Sequence, residues 1–193
     1  STLGPLASSA ASVCFGSLAQ RAPVSRRTLR QFLLSTRFDC LRVFDVNLRP
    51  PYINRAVVTA SLELCTLCKL NETELSVIGK LLGLGSRPDA ILSALFKRFP
   101  LQWIAVTRGR RGSVLQTRQA RSEHPGFAVR VEDTVGAGDA FTAALVMGAL
   151  RGDSLDRMNA RANRVAAFVC TQSGATPPLP RRLTALFCRN AGQ

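Results

Sequence analysis

The segment Glu132-Asp133-Thr134-Val135-Gly136-Ala137-Gly138-Asp139-Ala140-Phe141 holds residue types whose spacing could do chemistry. Gly136 and Gly138 flank an alanine directly before an acid, and the apolar run from Ala140 to Leu150 reads as a buried helix. A glycine bend that opens a helix leaves bare N–H groups at the positive end of the helix dipole, which is an anion site. Asp139 then lies in the first turn, beside the anion. With the amides of Gly136, Ala137 and Gly138 holding phosphate oxygens, Asp139 is placed to take a proton from an attacking hydroxyl, the arrangement of phosphoryl transfer. The alternative needs no ligand: a glycine turn whose early Asp complements the dipole, worth about 0.3–1 kcal/mol.

Three further stretches put polar groups at the ends of expected strands. Asn71-Glu72-Thr73-Glu74 opens a helix, and Asn followed by Glu three residues on is close to a capping box. The same cap could present a second carboxylate oxygen to a hydrated metal. Thr107-Arg108-Gly109-Arg110-Arg111-Gly112 sits between two strands and reads as a hairpin turn with glycines at positive φ, Arg110 and Arg111 facing solvent. Phe44-Asp45-Val46-Asn47-Leu48-Arg49 ends a strand with Asp, Asn and Arg, which can bond hydroxyls or phosphate. An Asp45–Arg49 pair tying down the Pro50-Pro51 loop is the competing explanation. Cys65 and Cys68 have C-x-x-C spacing, but no second pair follows and the sole histidine is His124, so the six cysteines read as free thiols in a reducing compartment.

The elements expected to position these residues alternate. Strands are predicted at Val13 to Phe15, Leu41 to Val46, Thr66 to Leu70, Trp103 to Thr107, Ser113 to Gln116 and Phe127 to Val131. Helices are predicted at Ser25 to Ser35, Asn54 to Leu64, Asn71 to Leu82, Pro88 to Phe99, from near Gly138 to Leu150, Leu155 to Thr171, and Arg182 to Cys188. Such alternation implies βαβ units and a mostly parallel sheet covered on both faces, with ligands gathering beyond the carboxyl ends of the strands.

A chain of 193 residues with 46% hydrophobic content is large enough for one domain with a real core. No apolar run reaches the length of a membrane helix, and Ser1 to Val13 lacks the basic leader and long hydrophobic core of a signal peptide. The net charge of +14 would attract polyanions, yet the arginines are dispersed and aromatics sparse, which argues against a specific nucleic-acid partner.

The string Asp133-Thr134-Val135-Gly136-Ala137-Gly138-Asp139 resembles the C-terminal D-T-x-G-A-G-D signature of the PfkB (ribokinase-like) sugar kinases. Lys69-Leu70-Asn71-x-x-Glu74 is similar to the family's N-x-x-E motif, and Thr107 to Gly112 to its T-x-G-x-x-G loop. Phe44 to Arg49 and Phe15-Gly16-Ser17-Leu18 resemble segments of the fructokinase-like members. The resemblance implies a ribokinase-like three-layer α/β/α fold, with residues 1–193 forming a single partial kinase domain, the nucleotide-binding and catalytic portion, without the family's N-terminal half and β lid. It implies an ATP-dependent sugar kinase of the cytoplasm, with Mg²⁺ and a monovalent cation such as K⁺, acting on fructose or a related sugar. Asp139 would be the base and the 136–138 amides the anion hole; Asn71 and Glu74 would act on Mg²⁺ through water. Thr107, Gly109, Gly112, Asn163 and Gly174 would line the nucleotide, and Asp45, Asn47 and Arg49 the substrate or phosphate. The cation would sit near Asp133, Val135, Val169, Gln172 and Gly174, and Pro178 stands where some members offer a side-chain oxygen. A truncated, non-catalytic fragment that binds a nucleotide or a partner is the alternative. The sequence leaves the sugar and the oligomeric state open.

Overall fold

In the computed structural model, which describes residues 3–188, strands and helices alternate through most of the chain. The strands are β1 (Ser12–Gly16), β2 (Leu41–Asp45), β3 (Leu67–Asn71), β4 (Trp103–Thr107), β5 (Ser113–Gln116) and β6 (Arg121–His124). The helices are α1 (Leu3–Ser9), α2 (Pro23–Leu34), α3 (Arg55–Leu64), α4 (Glu72–Leu82), α5 (Pro88–Arg98), α6 (Ala137–Leu150), α7 (Leu155–Cys170) and α8 (Arg181–Thr184). The sheet order follows the chain, β1 to β6, and the β1–β2, β2–β3 and β3–β4 pairings are parallel. Each parallel step passes through α2, α3 or the α4–α5 pair, the long crossover that parallel pairing requires.

The chain forms two compact units, Ser1–Thr107 with Gln116–Ala120, and Arg108–Leu115 with Arg121–Gln193. In the first, Leu67 to Leu70 of β3 are all buried, as expected of a central strand covered on both faces. Around it lie Val43, Phe44, Leu62, Ile78, Ile91, Leu95 and Ile104, all fully buried. Burying one such side chain contributes about 1.5–3 kcal/mol. Local signals start and stop the helices here. The Asn54 side chain accepts from Ala56 N–H and Val57 N–H to open α3, α4 ends at Gly83 with φ +68°, and α5 opens with Pro88 in its first turn.

In the second unit α6 buries Phe141, Ala144, Leu145 and Gly148, and α7, capped by Ser154, buries Met158, Ala162, Val165 and Val169. The two helices approach closely at Gly148, where an added Cβ would stand 2.8 Å from Met158 Cγ.

Two expectations are corrected, and one helix is new. Phe127 to Val131 is not a strand; the sixth strand is Arg121–His124. Pro125 and Gly126, the latter at φ +85°, break the chain there, and Phe127 tilts against His124 while Arg164 lies over its ring. The true strand escapes a hydrophobic pattern because only Ser122 is buried in it; it is a charged strand at the end of the sheet order. Leu3–Ser9 forms α1, a short helix hidden from sequence by its glycine and proline. The predicted final helix is one turn, α8, followed by a 3₁₀ turn at Ala185–Phe187. Elsewhere the elements agree with expectation within about two residues at each end.

Candidate active site

In the first unit, parallel register aligns the polar strand ends. Asp45 of β2 stands beside Lys69 of β3, and Asn71 of β3 beside Thr107 of β4. Lys69 Nζ donates to both carboxylate oxygens of Asp45 at 3.1 Å, a buried pair. Asp45 therefore pairs with a lysine on the next strand rather than with Arg49, which is exposed. A buried pair of this kind is strongly destabilising to break, because the survivor is left uncompensated. Asn47, also exposed, has φ +39°, a left-handed conformation that asparagine tolerates, and its carbonyl accepts from Ser17 Oγ.

Asn71 and Glu74 form a complete capping box. Asn71 Oδ1 accepts from Glu74 N–H at 2.8 Å, and Glu74 Oε2 accepts from Asn71 N–H at 2.8 Å. Glu74 Oε1 accepts from Leu48 N–H at 2.9 Å, so this carboxylate also ties the Phe44-to-Arg49 segment to α4. Glu74 is buried, and both of its oxygens carry a backbone donor. Among the described residues no group of three or more His, Cys, Asp or Glu could hold a metal directly. These residues therefore fit a hydrated ion held through water, using the remaining lone pairs, and do not fit direct chelation.

In the second unit, Gly136 caps α6 with φ +79°, and no side chain caps that helix. Asp139 is exposed, as is Gly138, and its carboxylate has no partner among the described residues. The anion hole expected at residues 136–138 is altered in one respect. The Ala137 amide donates to Thr134 C=O at 3.3 Å, whereas those of Gly136, Gly138 and Asp139 have no acceptor among the described residues. The left-handed turn at Gly136 aims the Ala137 amide back into its own loop.

The loop before α6 is clasped to the end of α7. Glu132 N–H and Asp133 N–H donate to Cys170 C=O at 2.8 and 3.3 Å. Asp133 Oδ1 accepts from Val135 N–H at 3.0 Å and Oδ2 from Gly174 N–H at 3.3 Å. The Val135 bond above all holds the Asp133 carboxyl below the usual carboxylate range. Gly136 has no room for a side chain, since a Cβ would stand 2.0 Å from Ala175 O.

The remaining nucleotide-side residues separate by role. Gly109–Arg111 is a 3₁₀ turn with Gly109 at φ +57° and open space around it, and Arg110 and Arg111 are exposed. Gly112, at φ +74°, packs on backbone: a Cβ there would meet His124 O at 2.0 Å and Gly126 N at 2.3 Å. Arg108 turns inward, donating through Nη1 to Glu123 Oε2 at 3.2 Å and through Nη2 to Ser113 C=O at 3.4 Å. Asn163 is buried, and its Nδ2 donates to Ser113 Oγ at 2.7 Å and to Asn159 C=O at 2.8 Å. Ser113 Oγ donates to Asn159 Oδ1 at 2.6 Å, and Asn159 Nδ2 donates to Ser122 C=O at 3.1 Å. Sequence reasoning missed Asn159 and Lys69. The four-residue spacing of Asn159 and Asn163 on one helix face, and a lone lysine inside an apolar strand, were the available signals. Burial pushes the Cys65 thiol up to about 12 and Cys68 well above its ordinary value, so neither favours the thiolate that metal or redox chemistry needs.

Residues 5–182 match the model of the pfkB family carbohydrate kinase. The fructokinase of Escherichia coli is 32% identical over 151 residues, covering 72% of this chain and 48% of that protein. An uncharacterized sugar kinase from Pyrococcus horikoshii, solved in complex with ATP, aligns with a TM-score of 0.74 at 28% identity, over 89% of this chain and 55% of that one. A fructokinase from Vibrio cholerae, solved in a fructose, ADP and calcium ion bound form, aligns with a TM-score of 0.76 at 26% identity, over 91% of this chain and 60% of that one. The chain spans about half the length of the curated relatives it matches. The fold is thus the ribokinase-like three-layer α/β/α arrangement, and the chain belongs to the pfkB family of carbohydrate kinases.

Proposed function

We propose that the protein transfers the γ-phosphoryl group of ATP to a hydroxyl of fructose or a related sugar, and that residues 1–193 are the nucleotide-binding and catalytic portion of a single kinase domain working in the cytoplasm. One observation carries this reading: an exposed Asp139 without a partner among the described residues, in the first turn of a helix that no side chain caps. Asp139 takes the proton of the attacking hydroxyl, and the amides around Gly136 and Gly138 stabilise charge on the migrating group. Asp45, Asn47 and Arg49 face the substrate or its phosphate, with Lys69 holding Asp45 in place. Thr107, Gly109, Gly112 and Gly174 line the nucleotide; Asn163 acts there by fixing Ser113. Asn71 and Glu74 would hold a hydrated Mg²⁺ through its waters, and the ion would supply neutralisation of phosphate charge; Asp133, a carboxylate with acceptor capacity to spare, is the candidate for a monovalent cation. The fructose and ADP bound to the Vibrio cholerae relative support the substrate class.

A coupled assay of ADP release by the protein of the complete reading frame, comparing fructose, ribose and a nucleoside, tests the proposal. Turnover on a sugar is expected, highest with fructose. A second reading is a non-catalytic fragment that binds a nucleotide or a partner. ATP binding without ADP release on any of the three would establish that reading instead.

A further inference from the structure

Two cavities of about 230 and 200 Å³ lie side by side in the first compact unit. They share Gln20, Arg26 and Val57. The first is walled mainly by carbon, from Phe15, Leu33, Val57, Ala60 and Leu64. The second is polar and includes Arg21, Tyr52 and Asn54. Arginines 21, 26 and 30 contribute to the lining, and no acid does. None of the residues assigned above to sugar, nucleotide or metal is part of either cavity.

Arg26 stands where the two meet, half-buried. Its Nε donates to Gln20 C=O at 2.9 Å, which fixes the guanidinium plane and leaves both terminal nitrogens without an acceptor among the described residues. Arg21 is tethered in a similar way, through Nη1 to Leu18 C=O at 3.1 Å. Arg30, on the same face of α2 as Arg26, has no acceptor among the described residues. The floor at the junction is rigid: buried Gln20 donates through Nε2 to Gly16 C=O at 3.1 Å and to Ser61 Oγ at 2.9 Å. Both N–H groups of that amide are spent, so the donors offered to a guest are those of the arginines.

A tethered guanidinium with two terminal nitrogens to spare matches the paired oxygens of a carboxylate or phosphate. The carbon-walled chamber beside it matches an apolar tail. We propose that the paired cavities bind a small amphipathic oxyanion, its head on Arg26 with Arg21 adjacent, its tail of a few carbons against Leu33, Val57, Ala60 and Leu64.

Titration calorimetry of the 193-residue chain with octanoate, octyl phosphate and octanol tests this, with Arg26→Gln, Arg26→Lys and Ala60→Phe as variants and thermal melts as the check on folding. At least one anion is expected to bind with a Kd below about 1 mM, with octanol at least about tenfold weaker. The tighter of the two anions identifies the head group. Arg26→Gln is expected to weaken it about tenfold, and Arg26→Lys, which keeps the charge and loses the fork, by an intermediate factor. Ala60→Phe is expected to exclude the octyl tail while butyrate affinity is unchanged. Failure of both anions to bind below about 1 mM, octanol binding as tightly as they do, or an Arg26→Gln variant with unchanged affinity would each overturn the proposal.

Discussion

Helices α4 and α6 both carry an acid in the first turn, and they treat it in opposite ways. At α4 the mouth is closed by its own side chains: Asn71 accepts from the Glu74 amide, and Glu74 is buried with both oxygens on backbone donors. At α6 no side chain caps the helix, and Asp139 is exposed with no partner among the described residues. Capping satisfies donors that would otherwise cost stability; leaving them bare forgoes about 1 kcal/mol. An uncapped mouth beside an unpaired acid keeps its donors available to a ligand, whereas a capped one spends them on the fold. Glu74 is thus tied into the architecture, whereas Asp139 is left available for the role proposed for it.

The contrast breaks most sharply at Asp139. In the complete enzyme Asp139→Asn is expected to lower kcat by about 10²–10⁴, the range of a lost general base. ATP affinity and the melting temperature should hold, because the side chain makes no bond within the described residues. Calorimetry with ATP and a coupled ADP assay check this; retained turnover would remove Asp139 from the base role.

Gly136→Ala comes next. A Cβ at φ +79° costs about 1–2 kcal/mol, and its 2.0 Å approach to Ala175 O adds to that. The loop at residues 174–175 must shift, so both the melting temperature and ATP affinity should fall. An unchanged melt would mean that the clasp is looser than described.

Glu74→Ala should cost stability with no need of ligand. It strands the Leu48 and Asn71 amides, at about 1–3 kcal/mol for a group left buried without a partner. Glu74→Gln keeps a carbonyl acceptor and should lose less. Denaturant melts without nucleotide separate the two; equal stability of Glu74→Ala and the parent would refute the architectural role.

The smallest effect concerns the clasp that steadies α6. Asp133 has a folded-state pKa below its ordinary 3.8. The stability it contributes is therefore fully present above that value and lost as pH falls through the lower, folded value. Protection of the Val135 and Gly174 amides, relative to their intrinsic exchange rates, should fall more on acidification below about pH 4 than in an Asp133→Asn variant, which lacks the titrating group. Parallel behaviour of the two proteins would show the carboxylate to be a bystander.

How much of this was legible follows from the range of each interaction. The glycine bend with its acid, the capping box, and the helix starts at Asn54 and Pro88 are settled within four residues, so they could be read. Likewise the alternation of apolar runs indicated a parallel sheet before any coordinates. β6 was illegible because a charged strand at the end of the sheet order needs no apolar face.

Sequence by itself determined the family, the element order apart from α1 and β6, and the placing of an acid at a glycine-opened helix. Only tertiary structure decided which glycines border open space and which are pressed against a neighbour. Gly109 has open space around it, while Gly112 and Gly136 are pressed against His124 and Ala175. It also decided that Asp45 answers to Lys69, 24 residues away, and that Asn163 belongs to a buried network with Ser113. The reason is geometric: a bend depends on adjacent dihedrals, but the atom that fills the space beside it comes from a distant part of the chain, brought there by packing.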